Sequence, residues 1–222
     1  MRWPAAVVFD LDGTLVDSVG DITSSINDLL GGTALPSFSE ESIRRFIGDG
    51  IDALVDRAFK ARGIVLNPAE RRTAVESYEL IYGARLAETT RAYSGAIDVI
   101  SALRANGVGI GICTNKVEGK AFDVVDGLGL RKYFDVIVGA RSGQPSKPSP
   151  VPLLNTLEYL GVSAADAIMV GDSVADVRCA RAAGTAIIGV SFGYSTIPMR
   201  ELEPDFTIDD YSEFKLACAS LR

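Results

Sequence analysis

A chain of 222 residues, 47% hydrophobic and 23% charged, has enough apolar mass for one large domain or a medium one carrying an insert. Its net charge of −7 and lack of any basic run argue against a nucleic-acid partner. No apolar stretch reaches the roughly 18 residues a membrane span needs, and the N-terminus turns acidic too soon for a signal peptide. In chain order, Ala6–Phe9 reads as a buried strand of a parallel sheet. Helices follow: Ile22, Ile26, Leu29 and Leu30 share a face, and Ser37 with Glu40 resembles a capping box ahead of Ile43, Phe46 and Ile47. Ile51, Leu54, Val55, Ala58 and Phe59 form an amphipathic stripe, and Asn67-Pro68 opens a helix expected to reach Glu88, with no strand in this segment.

From Tyr93 onward strands and helices alternate. Strands are expected at Val108–Cys113, Val136–Gly139, Ala167–Val170, Ala186–Val190 and Phe206–Ile208. Helical patterns lie between them at Ile97–Leu103, Val117–Leu128, Pro152–Leu160 and Val174–Ala183. The expected fold is α/β, a doubly wound parallel sheet with an inserted all-helical cap. Residues 1–16 and 90–222 would form the core, and residues 17–89 the cap.

Chemistry is narrowed by absences. Without histidine, Ser-His-Asp, Cys-His and phosphohistidine mechanisms fall away. No cysteine precedes an arginine by six positions, and no GxxxxGK[ST] loop occurs. Cys113, Cys179 and Cys218 are scattered and odd in number, which suggests buried thiols in a reducing, cytoplasmic setting. Carboxylates must then do the work.

Ligands of open parallel sheets bind beyond the carboxyl ends of the strands. The expected strands are followed there by Asp10-Leu11-Asp12-Gly13-Thr14, by Thr114-Asn115-Lys116 and by Gly171-Asp172-Ser173-Val174-Ala175-Asp176. Lys147 lies in the proline-flanked SKPSP between them. Oxygen donors on such a rim suit Mg2+, with Asp10 and Asp172 as direct ligands, Asp12 through its carbonyl and Asp176 through a bound water. An aspartate freed from its countercharge can attack phosphorus, and Asp12 can give and take the proton. Thr114 and nearby N–H groups, Asn115 among them, can hold phosphoryl oxygens, Lys147 supplies fixed positive charge, and Gly13 lets the backbone turn beside the phosphate. Arg44, Arg45 and Lys116 are candidate substrate contacts.

The order DxDGTLVDS, a strand ending in TN, KPxP and GDSxxD resembles the haloacid dehalogenase superfamily of Asp-dependent phosphohydrolases. The resemblance implies Asp10 as nucleophile, Asp12 as acid/base, Thr114 and Lys147 at the phosphate, and Asp172 and Asp176 at the metal. FIGDGIDALVDRAF, TNK and SFGYS are similar to the phosphoglycolate phosphatases within that superfamily, while Lys147-Pro-Ser-Pro-Val151 departs from the KPxPDP of many members. The implied activity is Mg2+-dependent hydrolysis of a small phosphorylated metabolite, 2-phosphoglycolate first, by a monomer or homodimer. A sugar phosphomutase of the same superfamily shares every catalytic residue and remains an alternative. A phospho-acceptor signalling module ranks behind both, because it needs neither the cap nor Asp12.

Overall fold

The computed structural model describes residues 3–31, 36–85 and 87–221. In chain order its elements are β1 (Ala6–Phe9), β2 (Val16–Asp17), α1 (Val19–Leu30), α2 (Glu40–Arg44), α3 (Ile51–Lys60), α4 (Pro68–Ala84) and β3 (Arg91–Ala92). Then come α5 (Ala96–Ala105), β4 (Gly109–Val117), α6 (Glu118–Gly127), β5 (Val136–Ala140), α7 (Val151–Leu160) and β6 (Ala167–Gly171). The chain ends through α8 (Val174–Ala183), β7 (Ala186–Val190), β8 (Phe206–Ile208) and α9 (Phe214–Ser220).

Six strands form one sheet in the order β5-β4-β1-β6-β7-β8, every neighbouring pair parallel. All four residues of β1 are buried because the pleat sends them alternately to two apolar layers. Val7 and Phe9 join Ile100, Leu103, Ile110, Ile112, Val124 and Phe214 on the face covered by α5, α6 and α9. Ala6 and Val8 join Leu153, Leu157, Met169, Cys179 and Ile187 under α7 and α8. Gly111 of β4 has a packing reason: a Cβ there would lie 2.7 Å from Thr156 Cγ2 of α7. This is the expected doubly wound α/β sheet.

The helices α1–α4 are inserted between β1 and β4 and pack around a third apolar cluster containing Ile22, Ile26, Ile43, Val55, Tyr78 and Tyr82. The short strands β2 and β3 pair antiparallel, Val16 opposite Ala92, so the chain leaves for the helices and returns at one place. Asp21, buried in the first turns of α1, fastens that place. Its carboxylate accepts from the N–H groups of Thr89 (2.8 Å) and Thr90 (3.1 Å) and from both their hydroxyls. Those donors outweigh the effect of burial and hold its pKa below the usual carboxylate value.

Several local expectations shift. The cap of α2 is Ser39, whose Oγ accepts from Ser42 N, and not Ser37; Phe46 and Ile47 lie beyond that helix. The α4 helix stops at Ala84, short of Glu88; Leu86 lies outside the described residues, and Ala87 has φ 62°, incompatible with helix. Its Asn67 and Glu70 do form a reciprocal capping box. The strand expected to end at Cys113 runs to Val117, with its pairing to β5 interrupted between those two residues. The strands β2 and β3, two residues each, are too short for any periodic signal.

Candidate active site

The carboxyl ends of β1, β4 and β6 meet at one rim, because β1 is hydrogen-bonded between the other two. Asp10 follows β1 directly, and its N–H donates to Val170 O of β6 at 2.9 Å. The next residues coil tightly: Leu15 N and Val16 N both donate to Leu11 O, and Gly13 N donates to Val16 O at 2.9 Å. Gly13 sits at φ 84°, and a Cβ there would fall 2.5 Å from Asp172 Oδ2. A side chain at this point is thus opposed by backbone strain and by the carboxylate beside it.

Carboxylate oxygens of Asp10, Asp172 and Asp176 lie within 4.8 Å of one another, all buried. Lys147 Nζ stands among them, 2.9 Å from Asp10 Oδ1 and 2.6 Å from Asp176 Oδ1, and it also donates to Cys113 O at 2.9 Å. Asp172 accepts from Thr14 Oγ1 and from Tyr194 N, each at 2.8 Å. Asp176 caps α8: its Oδ2 accepts from Ser173 N (2.9 Å), Ser173 Oγ (2.5 Å) and Asp172 N (3.2 Å). Its two oxygens are therefore taken up by Lys147 and by the backbone that aims Asp172.

Three buried carboxylates face one ammonium, and the electrostatics reflect the imbalance. Burial pushes the Asp10 carboxyl up to about 6, against the opposing pull of Lys147 and with a further push from Asp176. Burial, then Asp176 and Asp10, push Asp172 well above its usual range. Lys147 is held charged, because Asp10 and Asp176 outweigh the burial that disfavours its ammonium. Asp10 Oδ1 has the charge of Lys147 nearby but no well-aligned hydrogen bond. A hard divalent cation among these oxygens fits the donor set, since it would offset the excess negative charge and engage that oxygen.

The remaining expected residues fall into three groups. Thr114, in the interrupted stretch of β4, sets its hydroxyl against Asp10. Asn115 clamps the Lys147 segment: its Oδ1 accepts from Lys147 N (2.9 Å), and its Nδ2 donates to Lys147 O (3.0 Å) and to Gly48 O of the helical insert (3.2 Å). Lys116 contacts both oxygens of Asp12, at 2.9 and 3.1 Å, and Ser18 Oγ donates to Asp12 Oδ1 at 2.6 Å. Arg44 turns to Asp17 Oδ2 at 2.8 Å, with its guanidinium 5.1 Å from the Tyr194 ring centre, and it lines no part of the cleft over Asp10. Arg45 reaches the edge of that cleft but pairs with Glu41 at the surface.

Sequence reasoning missed Thr14 and Tyr194. The tyrosine is buried, accepts from Ser18 N (2.7 Å) and Val19 N (3.1 Å), and donates to Asp17 Oδ1 (2.8 Å), while its own N–H holds Asp172. It thereby joins the rim to the start of α1. Thr14 stood within the DxDGT motif and Tyr194 within SFGYS, and those stretches were the available signals.

Comparison with known proteins agrees with this geometry. Residues 7–190 match the family described as haloacid dehalogenase-like hydrolase. A phosphoglycolate phosphatase of Rhodospirillum rubrum is 39% identical over 94% of this chain and 88% of its own. One from Agrobacterium fabrum is 37% identical, over 92% of this chain and 88% of its own. The crystal structure of a predicted phosphoglycolate phosphatase from Haemophilus somnus superimposes with a TM-score of 0.90 at 31% identity, covering 97% of this chain and 98% of that one. The chain belongs to the haloacid dehalogenase-like hydrolases, as a phosphatase of that family.

Proposed function

We propose that this protein hydrolyses 2-phosphoglycolate, or a closely similar small phosphomonoester, through an aspartyl-phosphate on Asp10. The observation that carries the reading is the buried set of Asp10, Asp172 and Asp176 around Lys147, with Asp10 facing a cleft walled by the helical insert. The names of the relatives support the substrate. In this reading residues 17–89 act as a cap over a core of residues 1–16 and 90–222.

Asp10 Oδ attacks phosphorus, and the bond from phosphorus to the ester oxygen breaks. Asp12 delivers a proton to the departing alkoxide. Asp12 then takes a proton from the water that attacks the phosphorylated Asp10, and orthophosphate and free Asp10 carboxylate result. Lys147 and Thr114 hold the phosphoryl oxygens, and Asn115 fixes the backbone of Lys147 for that task. Gly13 keeps the space beside Asp172 free. Asp10 and Asp172 with their carboxylates, Asp12 with its carbonyl and Asp176 through water would hold Mg2+. Bound there, the ion would offset the carboxylate charge and draw charge from the phosphoryl oxygens.

Phosphate release from 2-phosphoglycolate, sugar phosphates and pyrophosphate, with Mg2+ or with chelator, tests the reading. The expected result is preference for 2-phosphoglycolate, dependence on the cation, and a loss of about a thousandfold or more in Asp10→Asn. An Asp10→Asn variant with full Mg2+-dependent activity would falsify the mechanism. Activity that appears only with a sugar bisphosphate primer points to a mutase.

A further inference from the structure

The cleft divides above Asp10 and Asp12. One lobe opens past Asp172, Ser173 and Thr196 along a polar edge. The other runs between the helical insert and β4, with Ile22, Ile51, Leu54 and Tyr78 in its walls. These walls are mostly apolar and present few partners for the hydroxyls of a sugar. Among the described residues the cations lining this second lobe are Lys116 and Lys120.

Lys116 is held in an unusual way for a lysine. Its side chain is 7% exposed, and its ammonium lies 2.9 Å from Asp12 Oδ2, 2.7 Å from Tyr82 Oη and 4.6 Å from the Tyr82 ring centre. Every one of these partners faces the lobe. Lys116 is two residues along β4 from Thr114, a separation of about 6–7 Å on a strand. Its ammonium, 2.9 Å from the acid that serves the ester oxygen, is within reach of an anion one or two carbons from that oxygen. Lys120, in the first turn of α6, forms a loose ion pair with Asp123 at 3.7 Å.

We infer that Lys116, assisted by Lys120, determines specificity by binding a carboxylate on the organic part of the substrate, in exchange for the carboxylate of Asp12. In this structure the ammonium contacts both oxygens of Asp12. A substrate bearing its own carboxylate replaces Asp12 at Lys116 and leaves Asp12 tethered by Ser18 Oγ, available to the ester oxygen. A neutral ester brings no such competitor, and Asp12 stays paired. Recognition of the second charge and release of the acid are thus one event. The inference rests on the phosphomonoesterase reading above.

The test is kcat/KM for 2-phosphoglycolate and for its neutral amide, 2-phosphoglycolamide, in wild type, Lys116→Met, Lys116→Gln and Lys120→Met. Wild type should favour the carboxylate, and both Lys116 variants should lower that preference by about ten- to a hundredfold, the worth of a charged hydrogen-bonded contact, whatever loss the two substrates share. Lys120→Met should lower it a few-fold. Lys116 variants that slow both substrates equally, and so keep the wild-type preference, overturn the inference and leave the phosphatase reading standing. A wild type that hydrolyses neither compound, or both alike, overturns the substrate reading itself and this inference with it.

Discussion

On the sheet rim, Asp10, Lys147, Asp172 and Asp176 are all buried, and the lysine is shared between two of the acids. Across the cleft, on the helical insert, Arg45 pairs with Glu41 and Arg57 with Asp49, in pairs largely open to solvent. The residue types are similar and the consequences are not. A buried charge stripped of its partner has no water to turn to, whereas an exposed pair exchanges one solvated state for another. The buried charge of the site therefore resides on the rim, and the insert contributes shape, apolar wall and Tyr82, one of the two partners of the Lys116 ammonium.

That contrast can be broken most directly at Lys147. Lys147→Met leaves three buried carboxylates facing one another, so turnover should fall by about a thousandfold. Stability in chelator should drop by about 3–5 kcal/mol, the usual result of removing one partner from a buried pair. Denaturant unfolding reads the second effect, and an unchanged midpoint would mean that the rim acids do not depend on the lysine.

Asp21 sharpens the comparison from the insert side, since it is a buried carboxylate whose partners among the described residues are the uncharged Thr89 and Thr90. Asp21→Asn keeps one acceptor oxygen of two and should cost about 1–3 kcal/mol. Because the folded pKa of Asp21 is depressed, its contribution is complete above the unfolded value near 3.9 and fades as pH falls through the lower folded value. The difference in stability between wild type and variant should accordingly be constant from about pH 5 to 7 and shrink below about pH 4. A difference that grows on acidification would contradict the hydrogen-bond assignment.

The smallest effect belongs to Arg45. Its side chain is 64% exposed, so Arg45→Ala should change stability by less than about 0.5 kcal/mol and kcat/KM by less than about twofold. A much larger loss in kcat/KM would make Arg45 a substrate contact after all.

Much of the rim was legible because strand ends and chemistry coincide in short segments. β1, β7, β8 and α8 occupy the residues their patterns suggest, and Asp10, Asp172 and Asp176 follow at fixed offsets. The second half of the cleft was harder to read. Arg44 and Arg45 are adjacent and look equivalent in sequence, yet one is drawn to Asp17 and the face of Tyr194 and the other to solvent. Nothing in local periodicity records that Tyr194 would arrive there from the far end of the chain.

The sequence by itself determined the alternating α/β pattern, the helical insert and the carboxylate chemistry at the strand ends, because period, capping and residue type are local properties. Only the tertiary structure decided that Lys147 would sit between Asp10 and Asp176, that Asp21 would fasten the exit of the insert to its return, and that Lys116 would bridge Asp12 and Tyr82. Each of these contacts joins residues far apart in the chain. Their geometry is set by how sheet and helices close over a shared core, and that closure leaves no mark in any short stretch of sequence.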